Sequence, residues 1–240
     1  MNLDALYAYV TSTPLVWIIV TISAYKIGIL VYEKSGKNAL LQPIVVAYMI
    51  MLPILILTHI PYKQYFESVS IIHFILGPAT VALALPLYKN LKLIRAYFVP
   101  IVATLFLGGT FTILSALGIL WLFDASTTTM LSMTTKSVTA PITIITAQDI
   151  GAIPSLAMGF VVITGLLGAL FGSFIFNILR IKHDEAKGFA LGLISHAIGI
   201  ARSVEISEKA AAFAALAMGL IGVVIAVLLP LIIGLLSFYM

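Results

Sequence analysis

The chain has no cysteine and little charge: 9% of its 240 residues are Asp, Glu, Lys or Arg. The first absence excludes disulfides, thiolate metal sites and cysteine nucleophiles. The second excludes an ordinary soluble domain, in which roughly a quarter of the residues are charged. The GxxxxGK[ST] phosphate loop, the HExxH zinc helix and the GxSxG elbow are missing too, and with them the familiar sequence marks of a soluble enzyme. A transmembrane barrel would need alternating stretches of about ten residues, and nothing in the chain alternates.

What the chain has in abundance is apolar. Hydrophobic residues make up 62% of it, in long blocks bounded by short polar loops. A ~30 Å hydrocarbon core is crossed by about 20 helical residues, and such blocks fall at 13–32, 41–60, 69–88, 96–123, 126–147, 153–179, 188–204 and 210–238. The expected architecture is an all-α integral membrane protein of seven to eight transmembrane segments, with residues 1–240 forming one polytopic domain in the cell membrane. Residues before Thr13 carry one charge, Asp4, and no basic residue. The first block therefore reads as a retained span and not as a secretory leader.

Loop charges set an orientation. Lys34 and Lys37 follow the first segment, Lys89, Lys92 and Arg95 the third, and Arg180, Lys182 and Lys187 the sixth. Basic loops stay cytoplasmic, which puts Asp4 and Asp124 outside. The net charge of +4 fits this rule better than a nucleic-acid patch. If every segment crossed, the 180–187 loop would lie on the wrong side. The fifth segment accounts for the discrepancy. Of its 21 residues from Ser126 to Thr146, 11 are Ser or Thr, with Lys136 in the middle and Pro141 beyond it. A broken or re-entrant helix there restores the parity, and irregular backbone at that depth survives only where protein or a wet cavity satisfies its amides.

A weak internal repeat adds to this. Leu76-Gly77-Pro78-Ala79-Thr80-Val81-Ala82-Leu83 aligns with Leu191-Gly192-Leu193-Ile194-Ser195-His196-Ala197-Ile198 at an offset of 115 residues. The implied half-repeats are 11–123 and 125–238, of opposite orientation. Inverted repeats with interrupted helices are a mark of secondary transporters.

Three runs could carry chemistry. In Lys136-Ser137-Val138-Thr139-Ala140-Pro141, a lysine at the bilayer centre costs roughly 2.5–3.5 kcal/mol even on the lenient insertion scale. With Ser137, Thr139 and freed backbone N–H groups it would make a carboxylate site, unless Lys136 simply lies in an outer loop. In Ser195-His196-Ala197-Ile198-Gly199-Ile200-Ala201-Arg202-Ser203, an unbroken helix would align Gly192, His196, Gly199 and Ser203 on one face. That stripe suits close helix packing, with His196 a strut and Arg202 paired to Glu205. A break near Gly199 would instead let His196, a group able to exchange protons, and Arg202, a bidentate carboxylate ligand, serve one substrate. In the third run, Leu76-Gly77-Pro78-Ala79-Thr80-Val81-Ala82-Leu83-Ala84-Leu85-Pro86, the two prolines Pro78 and Pro86 leave free carbonyls that could face a substrate path, or only kink a span.

These three runs, in this order and spacing, resemble the hallmark segments of the LrgB/CidB family, and the resemblance covers essentially the whole chain. It implies one of two functions. One is transport of small carboxylates such as pyruvate or glycolate, as in the related plastid glycolate/glycerate translocator. The other is antiholin- or holin-like control of murein hydrolase activity and autolysis. It also implies a small LrgA/CidA-type membrane partner. Where the family often has a second threonine, this chain has Ala140. The expectation is a transporter, not an enzyme, of small carboxylate anions. It needs no cofactor or metal, is coupled to a proton or sodium ion, is homo-oligomeric, and binds substrate through Lys136, Ser137, Thr139, Pro141, Ser195, His196, Arg202, Pro78 and Thr80. A regulator would tolerate loss of Lys136 and a transporter would not.

Overall fold

A computed structural model describes residues 13–36, 38, 41–82 and 84–239; Asp4 and Lys37 lie outside them. The described residues are helical throughout, apart from connections, and four helices are long and apolar enough to cross a membrane: Pro14–Lys34, Phe98–Leu122, Pro154–Ile178 and Glu208–Leu235. The protein is a multi-pass membrane protein. Contacts divide it into two compact units, Met1–Ala82 and Leu83–Met240.

In the first unit, α1 (Pro14–Lys34) and α2 (Pro43–Leu57) each begin on a proline, whose missing N–H is no loss in the first turn. They pack tightly: a Cβ added to Gly28 would stand 2.4 Å from the Pro43 carbonyl oxygen. Two shorter helices follow, α3 (Tyr62–Ser68) and α4 (Ser70–Ala82). Tyr65 on α3 meets the Trp17 ring edge-on at 5.8 Å and lies 3.0 Å from the Thr21 hydroxyl, which fixes α3 beside the start of α1.

The second unit comprises α5 (Ala84–Lys89), α6 (Leu91–Ala96), α7 (Phe98–Leu122), α8 (Thr127–Thr134), α9 (Ala140–Asp149), α10 (Pro154–Ile178), α11 (Asp184–Val204) and α12 (Glu208–Tyr239). Contacts fix the helix directions. Gly188 and Gly192 of α11 lie against the carbonyls of Ala210 and Ala214, so the first half of α11 runs parallel to α12. Tyr97 stacks edge-on with Phe213 and Gly109 meets Ile221, so α7 is parallel to α12 as well. Gly172, Gly168 and Gly165 of α10 face Leu191, Ser195 and His196 in turn. Therefore α10 runs the opposite way.

Two consequences follow. Since α7 and α10 are antiparallel, Leu122 and Pro154 lie at one end of the unit, and residues 123–153 leave that end and return to it. The other end gathers the basic residues: Lys89 pairs with Glu208 at 3.0 Å, Lys187 with Asp184 at 3.2 Å and Lys209 with Glu185 at 3.8 Å. The two basic loops expected on one side of a membrane, 89–95 and 180–187, thus meet at one end. One cluster of buried apolar residues runs through the unit and includes Leu105, Val138, Phe189, Leu193, Ala217 and Ile221.

Of the two readings of α11, an unbroken face and a break near Gly199, the structure shows a break, placed at His196. His196 leaves helical geometry, with φ 42° and ψ −127°, and Gly199 then lies against the Leu191 carbonyl, where an added Cβ would be 2.2 Å from the oxygen. In a straight helix these residues are about 12 Å apart along the axis. The chain has doubled back: Asp184–Ser195 runs in from the basic end and Ala197–Val204 returns toward it. Segment 188–204 is a hairpin with its tip at His196, and Gly192 and Gly199 serve different contacts.

Candidate functional site

Residues 123–153 form the first arm of the site. Ser126 caps α8 by accepting a hydrogen bond from the Thr129 N–H at 3.3 Å. A helix cannot run on through 137–141, because Pro141, at the second position of α9, would clash with the Ser137 carbonyl, and α8 ends before it at Thr134. Hydroxyl side chains compete with the helix for backbone partners as well. The unwound stretch is buried from Thr134 to Val138 and is held by side chains. Thr143 donates to the carbonyls of Thr135 (3.3 Å) and Val138 (3.5 Å). Ser132 donates to Thr128 O at 2.7 Å and accepts from the Ile153 N–H at 3.1 Å, tying α8 to the start of α10.

Lys136 lies in this stretch with 7% of its surface exposed. Its Nζ donates to Ser137 Oγ at 3.3 Å. Among the described residues no carboxylate comes within ion-pair distance of it; the lysines and arginine that have one are Lys89, Lys187, Lys209 and Arg202. A buried ammonium with one neutral partner retains most of its desolvation penalty and can take an anion without first breaking an ion pair. Thr139 precedes α9 as its cap residue but makes no side-chain capping bond. Pro141 is exposed.

The α11 tip forms the second arm. His196 is 4% exposed, and its Nε2 lies 3.0 Å from the Val161 carbonyl. That geometry places the hydrogen of the neutral ring on Nε2 and leaves Nδ1 as the acceptor. The backbone angles are those of the first central position of a type II′ turn, which glycine dominates; holding them at a histidine costs on the order of 1–3 kcal/mol. Ser195 is fully buried and its hydroxyl has no hydrogen-bond partner. Strain and an unsatisfied polar group coincide at this tip.

Not every expected residue reaches these tips. Arg202 pairs with Glu205 and donates to Ser173 Oγ at 3.1 Å, back toward the basic end. Of the two readings open for it, the structure holds the ion pair. Pro78 is an exposed residue of α4 in the first unit, and the Thr80 side chain lies outside the described residues. The structure adds Ser132, Thr135, Thr143 and Thr146, all buried. The density of hydroxyls in 126–146 was their only trace in the sequence. The Val161 carbonyl left none. Both arms pack on α10 and α12: Ile142 of α9 touches Gly222, two turns beyond the Ala214 that Gly192 faces. Among the described residues no group of three or more metal-ligating side chains occurs.

Residues 21–235 match the profile of the LrgB-like family. The chain is similar to the antiholin-like protein LrgB of Bacillus cereus (strain B4264), at 31% identity over 221 residues, covering 92% of this chain and 96% of the relative. It is similar to the same degree to the antiholin-like protein LrgB of Bacillus anthracis (strain CDC 684 / NRRL 3495). No solved structure matches it.

Proposed function

Because the chain belongs to the LrgB-like family, we propose that it is a secondary transporter carrying small carboxylate anions, such as pyruvate or glycolate, across a bacterial cytoplasmic membrane. One observation carries this reading: Lys136 is a buried cation whose partner is a hydroxyl and not a carboxylate. A carboxylate would supply the missing charge, and Ser137 would share it through a charge-assisted hydrogen bond. In this reading the two arms are re-entrant hairpins entering the bilayer from opposite faces. The hairpin at 123–153 comes from outside and the one at 184–204 from the cytoplasm, with the basic end cytoplasmic. Unwound tips inside the protein are where transporters of this kind hold their ligands. A coupling proton or sodium ion and an LrgA/CidA-type partner complete it.

The relatives' name favours a second reading, an antiholin-like regulator of autolysis. Such a protein needs no singular cation at mid-depth. Uptake of labelled small monocarboxylates into proteoliposomes separates the two. Transport is expected to fall in the order wild type, Lys136→Arg, Lys136→Met. Removing a charged hydrogen-bond partner worth about 1.5–3 kcal/mol weakens binding roughly 10- to 150-fold. Uptake by the Met variant at the wild-type rate would move the binding site away from Lys136, and no uptake by the wild type above that of empty vesicles would discard the transporter reading in favour of the regulator.

A further inference from the structure

One carboxylate takes no part in the site above. Glu185 stands in the first turn of α11, and 14% of its side chain is exposed. The cation nearest to it is Lys209 at 3.8 Å, beyond hydrogen-bond reach, on a side chain that is itself 59% exposed. Such a pair contributes little. Glu185 also borders a cavity of about 290 Å³ between α7, α11 and α12, walled by Ile101, Phe189 and Phe213. Among the described residues no donor comes within hydrogen-bond distance of this carboxylate, which leaves it able to accept one from a ligand. The α7 wall continues through Pro100 and Thr104 to the exposed apolar face of a helix long enough to cross the membrane. That exposed apolar face is the one a bilayer would cover.

We propose that this cavity holds one phosphatidylethanolamine molecule of the surrounding bilayer, its ammonium on Glu185 and an acyl chain against Ile101, Phe189 and Phe213. The carboxylate complements the cationic half of that head group. Glu185, on the cavity wall, meets the ammonium. Phosphatidylcholine offers a quaternary ammonium with no hydrogen to donate, and phosphatidylglycerol carries no cation to set against the carboxylate. The assignment is independent of what the protein transports.

Native mass spectrometry of the full chain, equilibrated with equal amounts of dioleoyl phosphatidylethanolamine, phosphatidylcholine and phosphatidylglycerol, tests it. One phosphatidylethanolamine is expected to be retained with about tenfold preference over either competitor, the scale of one hydrogen bond to a charged group. Glu185→Gln keeps the shape and should bring the preference over phosphatidylcholine to about one, with the melting temperature in lipid-free detergent unchanged. Ala190→Trp, which fills the cavity, should abolish retention of all three. Equal retention of the ethanolamine and choline lipids by the wild type, an undiminished preference in Glu185→Gln, or a second copy of the chain retained at this face in place of lipid would each overturn the proposal.

Discussion

The contact between Ser195 and Gly168 offers a sharp test of the α11 hairpin. Ser195 Oγ is buried without a partner, which costs about 1–3 kcal/mol. It points at α10, where a Cβ added to Gly168 would stand 1.9 Å away. Ser195→Ala is therefore expected to stabilise by about 1 kcal/mol. Gly168→Ala alone forces the hydroxyl out of its place and should destabilise by about 1–3 kcal/mol. In the Ser195→Ala background the atoms left near the new methyl are the residue-195 Cβ at 3.3 Å and Ile194 Cγ2 at 3.5 Å. The severe clash is relieved, and the shift of a few tenths of an ångström that the 3.3 Å contact still requires offsets the alanine's advantage over glycine within a helix, roughly 0.5–1 kcal/mol. The double variant should be more stable than the wild type, with a coupling near 2 kcal/mol, within the range of contacting pairs. Thermal unfolding in detergent reads this out, at about 2–4 °C per kcal/mol for a chain of this length. Gly192→Ala serves as the control. Its Cβ would lie 2.0 Å from the Ala214 carbonyl oxygen, a backbone atom that no side-chain change removes, so it should be strongly destabilising in both backgrounds. Additivity of the 168 and 195 changes, or a loss of stability in Ser195→Ala, would refute the packing described here.

Two further tests address the basic end. The Asp184 carboxyl is held below the usual carboxylate range by hydrogen bonds from Ser207 and Lys187. A depressed value adds stability above the unfolded pKa of about 4, and the contribution disappears as pH falls through the folded value. Melting temperature between pH 5 and 3 should thus decline more steeply in the wild type than in Asp184→Asn, and coincident profiles would count against the bond. Cysteines placed at Lys92 and Lys182 should label with an impermeant reagent from the cytoplasmic side only; labelling from opposite sides would contradict a 123–153 segment that returns to its own end.

Much of this architecture was legible in the sequence. Apolar blocks of crossing length have no stable place but a membrane or a protein interior, and prolines at 14, 43 and 154 suit helix starts because the missing N–H is no loss in a first turn. The break in 126–147 was readable from Lys136, Pro141 and the hydroxyls, since each opposes a continuous lipid-facing helix. The gathering of 89–95 and 180–187 at one end followed from their charge. Tertiary structure alone decided where α11 turns. The sequence pointed to Gly199, the residue with the least steric resistance. The turn is at His196, whose strained backbone is held by the Val161 carbonyl and by the room that Gly165 and Gly168 leave on α10. Arg202 likewise has its partners chosen by where the hairpin returns. Local propensity ranks the places a helix can break, but the choice rests with packing between segments far apart in the chain, which no single stretch of sequence encodes.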